Sequence, residues 1–281
     1  MAELIDATPA LEAAARFGPY CTWETQHRTW ETQHRTWETQ HRARETRRCT
    51  SETQHRTPET QRPIDGTWPL TDLQDPGVLA DRVDSASHLL AAMAGLTPDE
   101  LPKRAVASTV FLGLAARLVS PPLAAAVTSG AVPIPDPARM RWRPVASGPI
   151  PIFCDGLPAT TDDLVTALNT VIEILVEPVL DVFRTQFVLS PRVLWGNVAS
   201  ALGGAGTMMA ANGANATDLI AALLSRKPLI GTAVLHRPDR HHRRKLIRNN
   251  CCLYYRIPGG GTCGDCVLNV KQRQRQPVPG R

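Results

Sequence analysis

The chain has 281 residues, of which 43% are hydrophobic, 20% charged and 5% aromatic, and it carries a formal net charge of +5. That length and apolar fraction suit one large globular domain or two small ones and exclude disorder throughout. Only four of the 31 basic residues are Lys (Lys103, Lys227, Lys245 and Lys271), an Arg bias that, beside abundant Ala and Pro, reads as GC-rich coding rather than function.

In residues 1–21 the start Met1-Ala2-Glu3-Leu4-Ile5-Asp6 has two acids where a secretory signal needs a positive start and an apolar run. No stretch reads as membrane-spanning. Ala105–Ala116 stops at Arg117, and Val193–Thr217 is diluted by Gly and Asn. The expected location is the cytoplasm. From residue 22 the heptapeptide Thr-Trp-Glu-Thr-Gln-His-Arg occurs at 22–28, 29–35 and 36–42, with degenerate copies to 62. A coiled coil needs two apolar positions per heptad and this unit offers only Trp. His27, His34 and His41 recur because the unit does, so 22–62 is expected to be a solvated, disordered insertion without a metal site.

Residues 63–235 read as a mainly helical body. Asp75-Pro76 opens a helix to Gly95, and Thr97-Pro98-Asp99-Glu100 has the form of a capping box. Apolar spacing predicts a helix over 106–119, and Ser120-Pro121 restarts a short one that Gly130 ends. Alternation over 140–154 around Ser147-Gly148-Pro149 predicts a β-hairpin. Thr161-Asp162-Asp163 caps a helix that Pro178 kinks or divides. Ser190-Pro191 starts another, which Gly203-Gly204 should interrupt, and a last one covers about 217–225. The expected class is α+β: a helical body, one small hairpin and a short Cys-rich C-terminal module.

That module, 236–281, holds eleven basic residues against Asp239 and Asp265, so the basicity of the chain resides there. Arg237 to Arg248 could serve an acidic partner or nucleic acid, and His236, His241 and His242 read as solvated loop residues. Of seven cysteines, Cys21, Cys49 and Cys154 are scattered and read as non-ligands. Cys251, Cys252, Cys263 and Cys266 crowd together. Four thiolates serve structural zinc or iron–sulfur clusters. Zinc knuckles usually space their paired ligands by two to four residues, whereas adjacent cysteines diverge and better suit an object with two metal atoms. Gly259 to Gly261 would let the backbone approach sulfur closely.

The pattern Cys-Cys, ten residues, Cys, two residues, Cys, set in Cys-Leu-Tyr-Tyr-Arg and Gly-Gly-Thr-Cys-Gly-Asp-Cys, resembles the C-terminal [2Fe–2S] signature of FhuF-type ferric-siderophore reductases. Leu189–Asn197 is similar to a further segment of that family, and the resemblance covers about residues 100–270 and not the repeats. It implies a [2Fe–2S] cluster on Cys251, Cys252, Cys263 and Cys266 and one-electron reduction of ferric hydroxamate-type siderophores. Arg248 and Arg256 would tune the cluster, since nearby positive charge favours its reduced, more negative state. Trp195 and Asn197 are candidate siderophore contacts. No Gly-x-Gly-x-x-Gly lies in a βαβ setting, so a ferredoxin or flavoprotein is expected as external donor, with a possible loose association at the inner membrane face. Two other functions fit the residues: a zinc-stabilised nucleic-acid-binding tail with Tyr254 and Tyr255 as stacking groups, and a [2Fe–2S] redox or iron sensor or electron carrier.

Overall fold

The computed structural model describes residues 4–25, 66–236 and 245–269. The fold is α+β and mainly helical, and its α-helices among the described residues are α1 (Thr8–Ala15), α2 (Pro76–Ala94), α3 (Lys103–Ser129), α4 (Leu164–Leu175), α5 (Glu177–Gln186), α6 (Pro191–Ala211) and α7 (Thr217–Leu224). The strands are short: β1 (Leu4–Asp6), β2 (Trp68–Pro69), β3 (Val132–Pro133), β4 (Arg141–Trp142), β5 (Ile152–Phe153), β6 (Pro158–Thr160), β7 (Ala233–Leu235) and β8 (Leu246–Arg248). They form antiparallel sheets in the orders β1-β6-β3, β2-β4-β5 and β7-β8. The expected hairpin over 140–154 is β4-β5; the other two sheets were not foreseen.

The helix ends follow their capping chemistry. Asp75 accepts from the backbone N–H groups of Gly77 and Val78 at the start of α2, and Gly95 closes that helix in the left-handed region. Asp163 and Ser190 cap α4 and α6 in the same way, and the chain divides at Val176 between α4 and α5 as Pro178 foretold. The Thr97–Glu100 capping box forms, but around a 3-10 turn at Pro98–Glu100; α3 begins after it, at Lys103.

Two expected breaks are absent. α3 runs unbroken through Pro121 and Pro122 to Gly130. A proline at 121 removes the N–H that would bond the carbonyl of residue 117. That carbonyl instead accepts the indole N–H of Trp23 at 3.0 Å, so the interruption costs little. By length and composition α3 could cross a membrane, but 72% of the relevant window is buried within the fold, where it packs against α6, α1, α2 and α4 as the central core helix. Arg117 lies inside that core, 2% exposed, donating to the carbonyls of Ile150 and Pro19.

α6 likewise continues past Gly203-Gly204. A Cβ at Gly203 would fall 2.9 Å from the Cβ of Leu246, and one at Gly196 would fall 2.2 Å from Oδ1 of Asn250. These glycines are notches that admit the C-terminal module rather than helix breakers.

The expected segment boundaries also cut packed structure. Ala7, Leu11, Ala14 and Phe17 are core residues, and so is Trp23, within the first repeat. Glu24 bridges alongside β5. The rest of the insertion, from residue 26 to 62, lies outside the described residues, as do His27, His34, His41 and Cys49. At the other end β7 pairs with β8 across the expected 235/236 boundary, so the terminal module is continuous with the body.

Candidate metal centre

β8 carries the chain onto α6 and ends at Arg248. The Arg248 backbone N–H bonds the carbonyl of Asp265, and Asn249 is tied to the carbonyls of Thr232 and Gly231, which fixes both ends of the cysteine loop. After Cys251-Cys252 the chain turns at Leu253, whose φ of 70° lies in the left-handed region. It then makes a 3-10 turn over Tyr254–Arg256 and buries Ile257 as an anchor. The sharp fold-back needs Gly260, where a Cβ would sit 3.0 Å from the carbonyls of both Ile257 and Tyr254.

A buried polar relay holds the loop to the body. The Ser108 hydroxyl on α3 donates to the Cys252 carbonyl at 2.7 Å. The Asn197 amide nitrogen on α6 donates to the Ser108 carbonyl and hydroxyl at 2.9 and 3.0 Å. The Arg248 guanidinium donates to Asn197 Oδ1 at 2.6 Å. Asn197 is fully buried, which removes it as a siderophore contact: its amide is consumed in joining α3, α6 and β8. Trp195 packs half-buried against the core.

The four cysteines are free thiols, Cys252 and Cys266 buried, Cys251 and Cys263 partly exposed. Sγ of Cys252 and Sγ of Cys263 lie 3.5 Å apart. Two thiolates on one tetrahedral metal with bonds of about 2.3 Å would be about 3.8 Å apart. No group of three or more Cys, His, Asp or Glu side chains converges on a single ion among the described residues. Cys252 and Cys263 are thus close enough to share one metal atom, as a pair of ligands does both in a mononuclear site and on each iron of a two-iron cluster. The Cys252 thiol is drawn down to about 6, first by an S–H shared with Cys263 and further by the Tyr254 N–H and Arg248; Cys263 is pushed up by that same shared proton and by burial. Burial raises Cys251, and the Leu253 N–H, 3.3 Å from its sulfur, partly opposes this.

Arg248 provides the test of fit. It is 1% exposed, and its Nε and Nη1 have no hydrogen-bond partner among the described residues. A buried cation with unused donors is costly unless an anion neutralises it. Its positive charge already favours thiolate at Cys251 and Cys252. A cluster of two ferric ions, two sulfides and four thiolates is a dianion, and sulfur there accepts N–H bonds. Asp265 acts oppositely, adding to the upward push on Cys263. Arg256 is exposed, with its guanidinium against the Tyr255 ring and hydroxyl, and it acts on Cys251 only through solvent.

Cys21 and Cys154 are buried elsewhere, near Arg117 and Glu24, and are pushed up to about 11 and about 12 by burial. They are not ligands of this centre. His236 falls outside it, and residues 237–244 are not among those described. Sequence reasoning missed Ser108. A lone serine in the run Val106-Ala107-Ser108-Thr109-Val110 has no pattern to mark it, and only the third dimension gives it a partner.

A family model described as the FhuF 2Fe-2S C-terminal domain matches residues 248–268, from Arg248 through all four cysteines. Comparison with curated proteins finds no match. The buried Arg248 cation and the close sulfur pair agree with the match: residues 248–268 are similar to the FhuF-type 2Fe-2S C-terminal domain, whose cluster Cys251, Cys252, Cys263 and Cys266 would hold.

Proposed function

We propose that this protein is an iron–sulfur oxidoreductase that reduces Fe(III) held by imported hydroxamate-type siderophores, releasing Fe(II) in the cytoplasm. The observation that carries the reading is Arg248, a buried guanidinium with two idle donors beside four cysteines in a stretch that matches a 2Fe-2S domain. Cys251, Cys252, Cys263 and Cys266 would hold the cluster, which when bound supplies transfer of one electron at a time. The chain's own residues do the rest. Ser108 and Asn197 fix the loop, Arg248 balances negative charge, and Cys251 and Cys263 are the partly exposed members of the cysteine set.

Hard hydroxamate oxygens hold Fe(III) far more strongly than Fe(II), so one electron loosens the iron and no general base or nucleophile is needed. A ferredoxin or flavoprotein is the proposed donor, attracted by the basic terminal segment, and loose residence at the inner membrane face is compatible with that role. Anaerobic purification with iron and sulfide analysis, followed by a spectrum before and after ferric siderophore is added to the reduced protein, tests the reading. Two irons and two sulfides per chain, with reoxidation matched to Fe(II) formed, are expected. One zinc per chain without acid-labile sulfide would overturn it.

A further inference from the structure

α3 has a second face. A cavity of about 350 Å³ lies against it, walled by Trp68, Trp142 and the 144–150 turn, with Arg82 from α2 and Gly113 and Arg117 from α3 itself. At about 100° per residue, Val110, Gly113 and Arg117 project within about 40° of the direction opposite Ser108, the residue that grips Cys252. The cavity and the cysteine loop thus flank one helix, a thickness of about 10–12 Å with side chains.

The cavity is built to hold something. Its volume falls within the range of small-molecule sites, and its walls combine apolar and aromatic surface with a few donors. Trp142 is 2% exposed, yet its Nε1 has no hydrogen-bond partner among the described residues, and neither has Nε of Arg82, whose guanidinium stacks 5.5 Å from the Trp142 ring. Both atoms are closed off from solvent, so Trp142 and Arg82 act here as the aromatic and cationic wall of the cavity. Arg117, brought down to about 10 by burial, remains a cation at neutral pH and adds positive potential. Asp81 is the acidic residue at the rim.

We infer that this cavity is the seat of the ferric chelate, taking one oxygen-rich hydroxamate arm and the apolar flank of the complex. The inference rests on the function proposed above and assigns its substrate site. The oxygen-rich arm lies toward the Arg82 guanidinium, and the aliphatic spacer lies on Trp68 and Trp142. The Fe(III) of the bound chelate gains one electron from the reduced module across α3 and becomes Fe(II), the freed hydroxamates take protons from water, and the ferredoxin or flavoprotein restores the electron.

The test separates site from function by using the gallium(III) complex of a linear trihydroxamate, which binds as the ferric complex does but accepts no electron. Its affinity is measured by equilibrium dialysis against the cluster-loaded wild type, Gly113→Leu and Trp142→Phe. A Cβ at Gly113 meets nothing within 4 Å, and leucine improves helix propensity, so Gly113→Leu fills the cavity without strain. At least a tenfold loss of affinity is expected in Gly113→Leu and a several-fold loss in Trp142→Phe, with cluster absorbance and helical circular dichroism unchanged and the KM for the ferric complex raised in parallel. Equal affinity in the wild type and Gly113→Leu would overturn the site while leaving the reductase reading intact. Gallium binding that depends on Gly113 in a protein that reduces no ferric chelate would uphold the site and overturn the reductase reading. Absence of binding to the wild type would overturn the site.

Discussion

Replacing Arg248 with methionine keeps a long side chain against α6 and removes one buried charge. If the cluster centre lies about 7 Å from the guanidinium, an effective dielectric of about 20 makes the attraction for one added electron about 2.4 kcal/mol. For a one-electron couple that is about 100 mV, taking about 59 mV per tenfold change. The cation favours the more negative reduced state, so its loss lowers the potential by about that amount. Arg256 supplies the control, because it carries the same charge fully exposed to water, where solvent screening leaves it a much smaller effect than the buried Arg248. Redox titration followed by visible absorption or electron paramagnetic resonance measures both variants. Equal shifts for Arg248→Met and Arg256→Met, or a potential unmoved in Arg248→Met with its cluster intact, would refute the idea that burial gives Arg248 its weight.

Four other substitutions and one chemical treatment probe the remaining elements. Ser108→Ala strands the buried Cys252 carbonyl at a cost of about 2 kcal/mol, which for a body of this size lowers the midpoint of thermal cluster loss by about 4–8 °C while leaving the potential in place. Cys252→Ser and Cys263→Ser each separate the sulfur pair and are expected to abolish cluster content while far-UV circular dichroism still reports the helical body. Trp23→Ala opens the core beside α3 and frees the Arg117 carbonyl, a loss of about 3–5 kcal/mol read by denaturant unfolding. At pH 8 fewer than about one in a thousand Cys21 or Cys154 thiols is ionised, given values near 11 and 12, so peptide mapping after alkylation of the native protein should find both unmodified and modification should rise only on unfolding.

Local chemistry written in adjacent residues was readable before any coordinates. Asp75-Pro76, Asp163, Ser190-Pro191 and the closing Gly95 and Gly130 mark helix ends because a cap and its helix are contiguous in sequence. The four cysteines stood out because their spacing is itself the signal. What escaped depends on distant partners. Pro121 breaks a helix in isolation, and only an indole from residue 23 makes the break tolerable. Gly203 looks like an interruption until Leu246 is found seated on it. Asn197 seemed a polar contact for a ligand because sequence does not reveal that Ser108 and Arg248 already occupy its amide. Strands of two or three residues leave too few alternations to detect.

The β2-β4-β5 sheet has one more consequence. Glu24 lies beside β5 on one edge, and Trp68 pairs with β4 on the other, so the chain leaves and rejoins the body on opposite edges of the same small sheet. Three strand spacings, about 14 Å, separate those points, a gap that a handful of residues can span. The sheet therefore fixes where the described segments on either side of residues 26–65 end, and its geometry sets no particular number of residues between them.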